Sequence, residues 1–179
     1  NPPKLSIFGG GGIGATAEVI MGGLTPIGTA SIIGVKITSG GSGYSSPPFI
    51  QIQDNCKQGY GAVARATIKN GVVNDIYVVS EGENYPPGEI IPQVVTDVSV
   101  INPGSGYSFD DVVIDNLGNE YETTIFNGAI LKVTPINTND ITDLPRLSVR
   151  TTTGSGAKLY PTLGERPTGE LQQVIDCVT

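Results

Sequence analysis

The sequence contains no histidine and no tryptophan, one methionine and two cysteines among 179 residues. Without histidine, Ser-His-Asp and Cys-His catalytic sites are excluded, along with the commonest zinc ligand. Cys56 and Cys177 lie far apart, outside any Cys-x-x-Cys spacing. They could form one bridge or remain two buried free thiols, but could not close a structural zinc sphere alone, and a small disulfide scaffold would carry more of them. Charge is scarce as well, at 15% of residues. The net charge is −7 and the ten basic residues are scattered. That argues against a nucleic-acid partner, because phosphate contacts need clustered Lys and Arg. No apolar run is long enough to span a membrane. The opening "NPPKLSIF" carries neither an initiator Met nor a leader, so the expectation is a processed product or an excised segment.

What the chain has in quantity is glycine (25) and proline (13), a turn-rich composition. The glycines are organised. "GGSGYSSPP" from Gly40 recurs as "EGENYPPGE" from Glu81 and "NPGSGYSFDD" from Asn102. Aligning Tyr44, Tyr85 and Tyr107 places Gly41, Gly82 and Gly104 three residues before each tyrosine. Before each turn runs an alternating apolar pair: Val35 and Ile37, Ile76 and Val78, Val98 and Val100. Period-two alternation of β-branched residues predicts half-buried strands, and glycine supplies the positive φ of the exit turn.

A second motif interleaves with the first. "PKLSIFGGGGIGATAEVI" matches "PRLSVRTTTGSGAKLYPTL", setting Gly12 on Gly154 and Gly14 on Gly156. "PFIQIQDNCKQGYGAVARATI" is a third copy with Gly59 and Gly61, and "DVVIDNLGNEYETTI" a degenerate fourth that keeps Gly118. Each reads as strand, Gly-rich hairpin, strand. In the third, Ala62, Ala64, Ala66 and Ile68 line one face and Val63, Arg65, Thr67 and Lys69 the other. "NG" at Asn70 and at Asn127 marks two further hairpins.

The expectation is therefore an all-β domain over residues 1–164, roughly a dozen short strands in repeated antiparallel hairpin units. A sandwich or distorted barrel is expected, with an irregular β-solenoid as the alternative. The tyrosine intervals, 41 and then 22 residues, read as a truncated middle copy. Residues 165–179 form a C-terminal tail, a short helix or last strand, on the spacing of Leu171, Val174, Ile175 and Val178. The corner tyrosine is expected to be structural, its ring closing the hairpin end and its hydroxyl bonding backbone; the alternative is a row of rings stacking on sugars.

Catalytic chemistry finds little purchase. The acidic pairs Asp110 and Asp111, Glu120 and Glu122, and Asp140 and Asp143 read as solvated loop acids. "DNCKQGYG" and "NTND" are oxygen-rich loops that could hold Ca²⁺ but lack the spacing of an EF-hand loop. "GGGGIGA" contains Gly-x-Gly-x-x-Gly, but it belongs to a family of hairpins rather than opening a helix. No catalytic residue, cofactor or metal ligand is assigned.

The runs "KITSGGSGYSSPPFIQI" and "GYGAVARATIKNG" resemble a repeat of virion structural proteins in tailed phages, especially T-even-like myophages of marine cyanobacteria. The likeness spans Pro3 to about Gly164. It implies a non-enzymatic tail, baseplate, fibre or neck part that self-associates symmetrically and contacts other virion proteins. An appendage-borne adhesin binding a host-surface glycan or receptor, or a subunit of an extracellular filament, is the alternative. The missing tryptophan, the best ring for stacking on sugars, tilts toward a scaffold.

Overall fold

The computed structural model describes residues 2–88, 91–136 and 139–165. Of the expected tail, Glu165 ends the last strand, and residues 166–179, with Leu171 to Val178 and Cys177, lie outside the described residues. Twelve strands and no helix occur among them: β1 (Lys4–Phe8), β2 (Ile13–Met21), β3 (Ile32–Ser42), β4 (Phe49–Gln53), β5 (Tyr60–Lys69), β6 (Val72–Glu83), β7 (Gln93–Ser105), β8 (Val112–Asp115), β9 (Glu120–Phe126), β10 (Ala129–Pro135), β11 (Leu147–Arg150) and β12 (Ser155–Glu165). All pairings are antiparallel, in sheets ordered β1-β4-β5-β6, β10-β9-β8-β11, β12-β7 and β2-β3. None closes into a barrel, and the packing is that of a sandwich.

Local chemistry explains the hairpins. At both Asn-Gly pairs the two residues have positive φ, 53° and 74° at Asn70 and Gly71, 49° and 75° at Asn127 and Gly128. That is the two-residue type I′ turn, whose twist matches the strands it joins. It sets Lys69 opposite Val72 and Phe126 opposite Ala129.

Two apolar cores result. Ile32, Val35, Ala64, Ala66, Val73, Ile76 and Val78 belong to the first; Val95, Val98, Val113, Ile130, Val133 and Leu159 belong to the second. Ile32 and Ile33, adjacent on β3, enter different cores, because successive strand residues point to opposite faces. β3 therefore stands between the cores. The halves also meet where Tyr77 stacks on Tyr160, with ring centroids 4.6 Å apart, and where the buried Asp75 accepts hydrogen bonds from Ser99 and Thr162.

The chain order differs between the halves. β1 and β2 precede the first half and pair with β4 and β3, whereas β11 and β12 follow the second and pair with β8 and β7. The unequal tyrosine spacing thus does not come from a truncated copy. The strand leading to Tyr107 is closed by a hairpin that arrives later in the chain.

Candidate functional site

The three repeated corners are built alike. In each, the tyrosine hydroxyl accepts the N–H of an alanine on the strand paired with the one that leads into the turn: Ala15 to Tyr44 at 3.3 Å, Ala62 to Tyr85 at 3.3 Å, Ala157 to Tyr107 at 3.1 Å. The rings are buried, at 6%, 3% and 7% exposure. Each lies on a glycine that leaves no room for a side chain: Gly12 under Tyr44, Gly59 under Tyr85, Gly154 under Tyr107. Gly41, Gly82 and Gly104 have φ of 64°, 65° and 64°, and Gly14, Gly61 and Gly156 of 82°, 81° and 84°. A Cβ on Gly41 or Gly82 would stand 2.5 Å from Ala15 N or Ala62 N, and one on Gly104 2.6 Å from Ser155 O, so only glycine admits the facing backbone there. Gly118 also has positive φ, 87°, but faces open space.

Two corners also fasten an Asn-Gly hairpin further along the chain. Tyr44 donates its N–H to Gly71 O and Tyr107 to Gly128 O, both at 3.0 Å, while Tyr85 exchanges backbone bonds with Ala30. Tyr44 and Tyr85 sit in the first core and Tyr107 in the second, so the rings form no exposed row.

The acidic loops are bound up in their own turns. Asp54 accepts N–H bonds from Cys56, Gln58 and Gly59 at 2.8–2.9 Å. The Gly59 N–H first, against opposing desolvation, and then those of Cys56 and Gln58 hold its carboxyl below the usual carboxylate range. Asp115 does the same for "DNLGNEY". Burial works to raise its pKa, but the Asn119 side chain and backbone, the Leu117 N–H and the Tyr121 hydroxyl outweigh it, and the carboxyl is lowered. Burial foremost, then Asp115, raises the Tyr121 phenol. The same Asx-turn chemistry was legible in the sequence, as an aspartate opening each loop with a glycine further on. Asp111 is likewise engaged, by the Ser108 N–H and the Thr151 hydroxyl, and Glu120 pairs with Arg150 at 2.6 Å. Among the described residues no three His, Cys, Asp or Glu side chains converge on a point that could hold a metal ion. Part of "NTND" lies outside the described residues.

The exposed chemistry is elsewhere. On β1, β4 and β5 the inward residues Leu5, Ile7, Ile50, Ile52, Ala64 and Ala66 serve the first core. Their neighbours present Lys4, Phe8, Phe49, Gln51, Gln53, Val63, Arg65 and Lys69 outward. Phe8 and Phe49 face each other in register and stack with centroids 5.9 Å apart, while 51% and 69% exposed. Arg65 is the cross-strand neighbour of Phe49 on one side and of Tyr77 on the other. These three strands contain no acidic residue, and none of their cations joins an ion pair among the described residues. In a chain of net charge −7 this face is an exception. Sequence alternation predicted its outward side on β5 but did not reveal that β1 and β4 extend it.

Searches of family models, curated proteins and solved structures return no match to the chain.

Proposed function

We propose that the chain is a non-enzymatic structural module of a phage virion, a tail, baseplate, fibre or neck part that works by symmetric assembly. The observation that carries this reading is the outward face of β1, β4 and β5. Two stacked phenylalanines beside an arginine, free of acids, make the composition enriched at the centres of protein interfaces. The motif residues support it by elimination. The corner tyrosines and their glycines are consumed in packing, and the acids whose partners are described are consumed in turns, in a bond to Thr151 or in the ion pair with Arg150. The virion setting and a threefold or sixfold axis come from the resemblance of the Gly-Gly-Ser-Gly-Tyr runs.

The test is sedimentation of the chain against a Phe8→Ser/Phe49→Ser variant. The wild type should associate through an interface of more than about 1,000 Å², and the variant should remain monomeric with an unchanged melting curve. A wild-type chain that stays monomeric at high concentration overturns the reading. A second reading, an adhesin binding a surface glycan, draws on Gln51 and Gln53, which share the outward side of β4 with Phe49. Glycan binding by the monomer, lost in the same variant, would select it.

A further inference from the structure

Gln93 departs from the rule that buried polar groups are paired. It opens β7 and is only 3% exposed. Its Nε2 donates to Ile91 O at 3.1 Å, but its Oε1 has no hydrogen-bond partner, and in this it stands alone among the described residues. Turning the amide over is no remedy, because Oε1 would then face the Ile91 carbonyl, acceptor against acceptor. The atom calls for an N–H or O–H donor from elsewhere.

Gln93 and Ile91 lie on the wall of a cavity of about 530 Å³. Val19, Ile20 and Met21, which end β2, and Pro2 make most of the rest of that wall apolar. Glu165, the last residue of β12, stands there too, its backbone opposite Gln93 and its carboxylate on Lys36 at 2.8 Å. Glu18 also lines the cavity and joins no ion pair among the described residues.

Fourteen residues follow Glu165, reading "RPTGELQQVIDCVT". The chain thus enters this segment from the cavity's own wall. Six extended residues cover roughly 20 Å, so Leu171 and its successors can reach every part of that wall. The segment also matches the cavity in kind. Leu171, Val174 and Ile175 offer apolar side chains, the backbone offers N–H groups, and Arg166 offers Glu18 a cation.

We infer that the cavity is the seat of this chain's own C-terminal segment: Leu171, Val174 and Ile175 cover Val19, Ile20, Met21 and Ile91, and a backbone N–H of the segment donates to Gln93 Oε1. Met21 belongs to the first core and β7 carries Val95 and Val98 of the second, so the seated segment ties the two halves together. The inference does not rest on the assembly reading, and a monomeric chain in sedimentation leaves it intact.

Met21 is the single methionine, so its isotope-labelled methyl gives one resonance in the full-length chain. In a Cys56→Ser chain, a nitroxide on Cys177 should broaden that resonance. Leu171→Asp with Ile175→Asp, which leaves all twelve strands unaltered in sequence, should sharpen it again. A segment that is merely tethered broadens Met21 equally in both chains. Nitroxide-bearing chains without the isotope, mixed with isotope-bearing chains without the nitroxide, should leave Met21 sharp; broadening there assigns the segment to a second copy. In Gln93→Met, one amide within residues 168–175 should exchange on the order of fivefold faster than in wild type. An unbroadened Met21, equal broadening with and without the aspartates, broadening on mixing, or no amide that responds to Gln93→Met overturns the inference.

Discussion

Replacing Gly154 by alanine is a stringent perturbation of the corner. A Cβ built on Gly154 stands 2.5 Å from Tyr107 Cγ and nearer still to Cδ1 and Cε1. Gly154 does not have positive φ, so the substitution carries no backbone strain and acts only through the ring. The ring cannot yield in place, because it is 7% exposed and its hydroxyl is held by the Ala157 N–H. Overpacking of this kind costs about 1–3 kcal/mol, and losing the hydroxyl bond adds about 1 kcal/mol. A total of about 3 kcal/mol lowers the melting temperature of a chain of this size by roughly 6–12 °C. Gly118→Ala is the control. Its φ is 87° with nothing within 4 Å, so it reports strain alone, about 1 kcal/mol and roughly 2–4 °C. Thermal melts by circular dichroism measure both. A double variant, Gly154→Ala with Tyr107→Ala, should lose less than the sum of the singles, because the new methyl then occupies space the ring has left. Equal melting temperatures for Gly154→Ala and Gly118→Ala, or strict additivity in the double variant, would refute the reasoning.

Tyr→Phe at 44, 85 or 107 removes the same hydroxyl acceptor from the same kind of alanine N–H, so each should cost about 1 kcal/mol in urea unfolding; a corner that loses nothing would show that its hydroxyl is idle. Thr162→Val takes one of two hydroxyl donors from the buried Asp75 and should cost about 1–2 kcal/mol, readable by the same titration. Asp54 and Asp115 have folded pKa values below their unfolded ones, so their contribution is present above the ordinary carboxylate pKa and lost as pH falls through the lowered values. Stability should therefore decline in acid, more shallowly in Asp115→Asn than in wild type, and parallel pH profiles would contradict this.

Much of the corner could be read from the linear chain. The alternation of Ile76 and Val78, the two Asn-Gly pairs and the glycine three residues before each tyrosine are constraints on one or two neighbouring residues. Such constraints act wherever the segment ends up: φ sterics need only the local backbone, and burying one strand face needs only period two. Even the partnership of tyrosine with Gly-x-Gly-Ala was implicit, since both motifs recur in matching numbers. What no local rule contains is which hairpin closes which turn. Tyr44 takes Gly12 and Tyr85 takes Gly59, both earlier in the chain, while Tyr107 takes Gly154, 47 residues later. Four similar hairpins offer similar contacts, so the choice falls to whatever satisfies all the edges and both cores together. The outward face of Phe8, Phe49 and Arg65 and the cavity walled by Met21 and Gln93 arise the same way. The sequence determined the units and their turns because those are near-neighbour physics. The tertiary structure decided the pairing because it alone brings residues 47 or more positions apart into one competition for the same edge.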